Sequence, residues 1–406
     1  MSDNSSSTQP LALLGGAPVR GPEKQWHGWP VYDDAERKAL IDVLESGQWF
    51  YAGRVAQFER EYAEFQGAAY CVTCNSGTAA AEIVLQALGI GPGDEVIVPP
   101  YTFVATASSV LRVGATPVFA DVDDTWCIDP EKVAEAITPK TRAIMPVHFG
   151  GRICDMDRLN DIADEHGIPI IEDACHAWGG RWVGKGAGTL GLCGVFSFQL
   201  SKNITAGEGG AIVTHDTKLA EMCRSITNCG RALGAPWYHH VNAGTNARMT
   251  EFQAALLSCQ LRRLGEQTLA RDRNATILNY ELEKIEGLIP QPKSNRITRR
   301  AYHLYCMRID PDRFGCSRAQ FVAAANAEGW PVSAGYPLPL YEQPVFKDHP
   351  GRCRSAACPM VEDLCHRSAM WFGHEKLLGT EEDMRDIVRI AEKIKANVEA
   401  LRNWQA

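Results

Sequence analysis

The stretch GAAYCVTCNSGTAAAEIVLQALG, residues 67–89, decides the fold. Ala69–Thr73 is a short, nearly unbroken apolar run ending in the polar turn Asn75-Ser76-Gly77. Thr78–Leu88 then carries good helix formers and stops at Gly89, a residue that ends helices readily. A strand joined to a helix by a tight turn is half of a parallel crossover. The same reading repeats outward. Strand Glu95–Val98, helix Val104–Val113 and strand Thr116–Ala120 follow, then strand Arg142–Val147, helix Met156–His166 and strand Pro169–Glu172. Val195–Phe198 and Gly210–Thr214 are two further strands, the last leading into helix Thr217–Thr227. The strands VIVPP, AIMPV and IPIIED do not alternate with polar residues, as expected where helices cover both sheet faces. Such alternation predicts an α/β domain with a mostly parallel, doubly wound sheet.

After Asn246 the pattern changes. Thr250–Gly287 reads as one long helix with a bend near Gly265. Segments around HLYCMRID (303–310), Arg318–Gly329 and Glu381–Arg402 predict a smaller α+β domain. The expected division is an N-terminal segment, 1–45, packing on the small domain; a large domain, 46–264; and a small C-terminal domain, 265–406. The chain has 406 residues, roughly two to three domains' worth by the usual length prior.

Its 45% hydrophobic content supports a large core. The net charge of −8, without a basic block, argues against nucleic acid or an anionic membrane as partner. The greasiest stretch, Glu95–Ala120, is broken by Pro99, Pro100, Arg112 and Pro117, so no membrane helix is expected. The opening MSDNSSSTQP has neither basic nor apolar character, so the expectation is a cytoplasmic protein without a secretory signal. Fourteen cysteines are scattered rather than paired at framework spacings, which predicts reduced, packed thiols. Cys71 and Cys74 point to opposite faces of one strand. Cys353, Cys358, Cys365 and His366 lack a tight metal knuckle. No metal is expected.

Ligands of such sheets sit beyond the carboxyl ends of the strands, and three segments place polar residues there. In Asn75-Ser76-Gly77-Thr78, a glycine at a helix N-terminus suits an anion, although a plain helix cap explains the same residues. Asp173 ends an apolar strand, where a carboxylate is costly without a partner; a structural ion pair is the plainer reading. Lys202 follows a strand and precedes the nearly side-chain-free loop Thr205–Gly210. A desolvated lysine forms imines with carbonyls, but most lysines are surface residues. One chemistry needs all three: pyridoxal 5′-phosphate takes a lysine for its aldehyde, a carboxylate for its pyridinium nitrogen and a cradle for its phosphate.

With these residues in place, the chain resembles the DegT/StrS sugar aminotransferases of fold type I. NSGTAA (75–80), PPYTFVATASSV (99–110), PVFADVD (117–123), PVHFGG (146–151), IEDACHAWGG (171–180), SFQLSKNITAGEGG (197–210) and GTNARMTEFQAA (244–255) carry the resemblance. It implies a seven-stranded, mostly parallel sheet with pyridoxal 5′-phosphate as cofactor. It further implies catalytic roles for Lys202, which bonds the cofactor, and Asp173, which meets the pyridine nitrogen. Gly77, Thr78 and Ser197 would hold the phosphate, Phe103 would stack on the ring, and Asn246 would reach the phosphate in the neighbouring subunit of a homodimer. His176 stands where many members carry glutamine and would meet the ring hydroxyl; Trp178 receives no role. A dehydratase branch carries histidine at the position of Lys202, so the lysine implies amino transfer.

The approach segment Trp29–Arg37, with Gly47-Gln48-Trp49, resembles the branch of scyllo-inosose aminotransferases and 3-amino-5-hydroxybenzoate synthases. The expected partners are therefore glutamate or glutamine as donor and a keto-polyol as acceptor. A nucleotide-linked keto-sugar and a 3-amino-5-hydroxybenzoate-type reaction are the alternatives, and a non-catalytic cofactor-binding sensor is the reading from another class. Trp29 and Trp49 are equally explained by packing. Arg231, His239 and His240 are candidates for the substrate mouth.

Overall fold

The computed structural model describes residues 9–232, 234–236, 238–349 and 351–404, so most of the polar N-terminal run lies outside the described residues. Seven strands form the central sheet: β1 (Tyr70–Cys74), β2 (Glu95–Val98), β3 (Thr116–Phe119), β4 (Thr141–Ile144), β5 (Ile171–Asp173), β6 (Cys193–Ser197) and β7 (Gly210–Thr214). Their spatial order is β1-β7-β6-β5-β4-β2-β3. The bridges Ile144–Ile170 and Val147–Asp173 join β4 to β5. Only β7 runs against its neighbours, so the sheet has the predicted seven strands and is mostly parallel. The two-residue strand Arg354–Ser355, from far along the chain, adds an eighth by pairing in parallel with Val118 and Phe119.

The strands are apolar throughout because their alternate side chains enter two different cores. On one face lie Cys71, Ile97, Ile144, Phe196 and Val213; on the other lie Val72, Cys74, Val96, Val98, Val195 and Ile212. Each large apolar side chain so buried contributes roughly 1.5–3 kcal/mol. Cys71 and Cys74 thus part to opposite cores, and all fourteen cysteines are free thiols. Among the described residues no group of three or more His, Cys, Asp or Glu is placed to hold a metal, and no helix is long and apolar enough to cross a membrane.

Helices α1 (Asp34–Ser46), α2 (Gly77–Ala87), α3 (Ala105–Arg112) and α4 (Glu251–Leu282) pack around or beside this sheet. The Thr250 hydroxyl accepts from the Gln253 N–H while the Gln253 side chain accepts from the Thr250 N–H, a reciprocal cap that starts α4. At the predicted bend, Gly265, the helix does not break: α4 runs for 32 residues. A Cβ at Gly265 would meet nothing within 4 Å, so no close neighbour demands a glycine or displaces the helix there.

The first half of α4 buries Ala254, Leu257, Leu261 and Leu264 in one core of the central sheet. Its second half buries Ala275, Leu278 and Leu282 in a separate core. That core is built on the antiparallel sheet of β8 (Leu288–Pro290), β9 (Leu304–Ile309) and β10 (Ala369–Gly373), with α5 (Arg318–Ala327) and α6 (Glu381–Ala396). Leu11 enters the same core. Nearby, Arg20 donates to Asp383 at 2.6 Å and to Asp386 at 2.9 Å, whereas α1 sets Ala39 and Val43 against Ala255 and Cys259 of α4. The predicted helix 381–402 is interrupted at Asn397, where φ of −113° separates α6 from Val398–Arg402.

Candidate active site

Strand direction gathers the polar residues. β1, β5 and β6 end at Cys74, Asp173 and Ser197, and antiparallel β7 begins beside them, with Gly210 opposite both Cys74 and Ser197. A cavity of about 500 Å³ opens at this edge. Gly77, Thr78, Phe103, Asp173, His176, Ser197 and Lys202, seven of the eight predicted site residues, line it.

Asp173 is only 8% exposed. One carboxylate oxygen accepts from the Thr106 hydroxyl at 2.8 Å, and the other accepts from the Cys175 N–H at 3.2 Å. A carboxylate offers about four acceptor sites, so lone pairs remain for a further donor.

At the start of α2 the Ser76 hydroxyl accepts from the Ala79 N–H at 3.1 Å. The plain cap is therefore present. It leaves the N–H groups of Gly77 and Thr78 without an acceptor among the described residues, so the helix end also keeps its capacity for an anion. A Cβ on Gly77 would lie 2.8 Å from the Ser197 Cβ and 3.0 Å from the Cys175 Sγ. Its glycine brings the helix start against the end of β6.

Lys202 sits in a turn closed by its own N–H donating to the Gln199 carbonyl at 2.9 Å. The loop is pinned from two sides: Trp29 Nε1 donates to the Leu200 carbonyl at 2.7 Å and His374 Nε2 to the Ser201 carbonyl at 3.0 Å. The rings of Trp29 and His374 meet edge to face at 4.5 Å. Burial pulls the Lys202 ammonium below its usual pKa, with Cys175 and Asp173 working against that shift. A lysine so placed gives up its proton more easily than one on the surface. Its Nζ lies 5.8 Å from the centre of the buried Trp178 ring.

His176 is buried, and desolvation, helped by Lys202, holds its pKa well below the usual histidine value. Its Nδ1 accepts from the Gly150 N–H at 3.3 Å, which leaves the proton of the neutral ring on Nε2. Phe103 is 58% exposed at the cavity lip. Asn246 does not line the cavity; it is exposed and bridges to Asn228 through the backbone. Arg231, His239 and His240 do not line it either, and Arg231 and His240 pair with each other along the backbone.

Several lining residues carried no functional reading in the sequence: Thr106, Cys175, Glu208, His303, Tyr336 and Trp371. Thr106 lay within the quoted run 99–110, and a threonine facing a predicted carboxylate was its only available signal. His303, Tyr336 and Trp371 come from the small C-terminal sheet and its connections, which no local motif ties to the cavity.

A lysine, a carboxylate with open lone pairs and a helix N-terminus with two N–H groups still free around one crevice fit pyridoxal phosphate, and the chain is a pyridoxal phosphate-dependent aminotransferase. The model of the DegT/DnrJ/EryC1/StrS aminotransferase family matches residues 30–393, and the chain belongs to that family. It is 40% identical over 420 residues to the L-glutamine:2-deoxy-scyllo-inosose aminotransferase of Micromonospora echinospora, covering 97% of this chain and 99% of the relative. It is 39% identical over 376 residues to the 3-amino-5-hydroxybenzoate synthase of Amycolatopsis mediterranei, covering 90% and 96%. A crystal structure of 3-amino-5-hydroxybenzoic acid synthase superposes with a TM-score of 0.85 at 37% identity, covering 91% of this chain and 98% of that one.

Proposed function

We propose that this aminotransferase moves the amino group of glutamine or glutamate to the keto group of a cyclic polyol, a ketocyclitol such as scyllo-inosose. The observation that carries the reading is the convergence of Lys202, Asp173 and the start of α2 on one cavity of about 500 Å³. The choice of acceptor is supported by the relatives, whose names specify a deoxy-scyllo-inosose or an aminohydroxybenzoate product. The cavity wall suits a polyhydroxylated ring, since Thr102, Ser201, Tyr336 and His303 offer hydroxyls and ring nitrogens.

Pyridoxal phosphate, when bound, supplies an aldehyde for the amino group and an electron-withdrawing ring. Lys202 would hold that aldehyde at rest, and its freed amine would then carry the proton from the amino-bearing carbon to the carbon of the cofactor's former aldehyde, the shift that amino transfer needs. Asp173, oriented by Thr106, would accept from the protonated pyridine nitrogen. Gly77, Thr78 and Ser197 would hold the phosphate, Phe103 would cover the ring face, and His176 would donate from Nε2 to the ring hydroxyl.

The reading includes a homodimer in which Asn246 completes the partner's phosphate site. Its support is the exposed stretch around Asn246, where Arg248 stands 5.3 Å from the ring of the 63% exposed Phe50. It also includes a cytoplasmic location, for which fourteen unpaired thiols are the support.

The test begins with absorption spectra of the purified protein and of Lys202→Ala, before and after glutamine. A visible band that shifts with donor in the wild type alone supports the transferase chemistry. Turnover of scyllo-inosose then supports the ketocyclitol. Turnover of a nucleotide-linked keto-sugar instead overturns that choice, and a band indifferent to every amino donor overturns the amino-transfer roles given to these residues.

A further inference from the structure

His303 opens β9's approach to the cavity and has no part in holding the cofactor. Its Nδ1 lies 3.0 Å from Asn203 Oδ1. The Asn203 amide is oriented by donating from Nδ2 to the carbonyls of Ala301, at 3.0 Å, and Tyr302, at 3.4 Å. Its oxygen therefore faces the imidazole, and His303 Nδ1 must be the proton-bearing nitrogen. The ring stacks near two other imidazoles, His176 at 4.4 Å and 36° and His374 at 5.7 Å and 30°, and meets Trp178 edge to face at 5.5 Å. Burial and the nearby His176, Lys202, His374 and Arg271 all disfavour its protonation. What remains is a neutral imidazole whose Nε2 is a lone-pair acceptor. Among the described residues that atom has no hydrogen-bond partner, although the residue lines the cavity. Asn203 takes the Nδ1 edge, and the Nε2 edge is the one left without a polar partner beside the cavity.

We infer that His303 Nε2 accepts a hydrogen bond from a ring hydroxyl of the acceptor substrate, making His303 a specificity-determining residue for hydroxylated ketones. The inference rests on the keto-polyol reading and deepens it. A fixed lone pair in a desolvated site rewards a hydroxyl donor and penalises a substrate group that cannot donate, because either partner left unpaired loses a buried hydrogen bond.

The experiment compares the wild type with His303→Phe, which keeps an aromatic ring in the stack without the acceptor, and with His303→Gln, which keeps a side-chain acceptor and a donor for Asn203. Bound-cofactor absorbance and the thermal midpoint report whether each variant folds and loads. The donor half-reaction is followed spectroscopically with glutamine, and the acceptor half-reaction as the KM and kcat for scyllo-inosose. The expected result is a donor half-reaction within twofold of wild type in both variants. KM for scyllo-inosose should rise tenfold to a hundredfold in His303→Phe and recover to within about fivefold in His303→Gln. An unchanged KM in a loaded His303→Phe overturns the assignment alone. An equal loss in both half-reactions also overturns it, since His303 would then serve the site in general. A wild type that transfers amino groups but ignores scyllo-inosose overturns the keto-polyol reading, and the assignment falls with it. If His303→Phe does not load, His303→Gln decides: it too must keep KM within fivefold, or the acceptor role is wrong.

Discussion

Glu172 and Asp173 are consecutive carboxylates on β5 with opposite surroundings. Glu172 is 0% exposed and its acceptor capacity is filled. It receives His148 Nε2 at 2.8 Å and the N–H groups of Gly188, Leu190 and Gly191 at 2.7, 2.6 and 2.7 Å. Asp173 faces the cavity with a hydroxyl and one N–H as partners. A strand turns successive side chains to opposite faces, so one residue's step separates a carboxylate that closes a loop from one that waits for a ligand. Burial alone does not mark function; unfilled lone pairs facing a cavity do.

The largest expected effect lies on the open side. Lys202→Ala should lower kcat/KM for amino transfer by at least about 10³-fold, the scale of losing a positioned acid–base group, with the unfolding midpoint nearly unchanged. Asp173→Asn should behave alike in kind, losing rate while stability stays within about 1 kcal/mol. Steady-state kinetics beside calorimetry would check both, and a strong loss of stability in Asp173→Asn would erase the contrast with Glu172.

On the closed side, Glu172→Gln should cost about 3 kcal/mol of stability, because an amide cannot accept from all four donors and a buried network is broken. Denaturant unfolding is the measurement. An unaltered midpoint would show that the filled carboxylate is dispensable.

A third outcome concerns pH. Burial holds His176, His303 and His374 well below the usual histidine pKa. Each binds a proton more readily unfolded than folded, so stability should be lost as pH falls below about 6.5, by roughly 1 kcal/mol per histidine per pH unit. Unfolding of the cofactor-free protein between pH 7 and 5 tests this; a flat profile would mean that the rings are protonated in the fold. The smallest effect is Thr106→Val, which frees one oxygen of Asp173 and should reduce the donor half-reaction by about tenfold or less, in line with one hydrogen bond to a charged group.

The fold was legible wherever local chemistry repeats. Met156–His166, Thr217–Thr227 and Gly210–Thr214 have their predicted bounds, because caps and apolar runs are set by neighbours in sequence. Lys202, Asp173 and the 75–78 turn were legible for the same reason, each lying at a strand end. His303 and Tyr336 were not: they arrive from an antiparallel unit more than a hundred residues downstream of β6, and only the packing of two cores along α4 brings them in. Gly265 does not end the helix, because glycine weakens a helix only modestly while the two cores along α4 hold the turns on either side.

The eighth strand has a consequence for the life of the chain before it finishes folding. Arg354–Ser355 occupies the outer rim of β3, and Arg354 is tied there to Glu95 and to the Ala136 carbonyl. A bare rim of unpaired backbone groups is a template for recruiting foreign strands. The C-terminal part of the polypeptide thus covers part of that rim, and a molecule cut short before residue 354 would leave Val118 and Phe119 unpaired on their outer side.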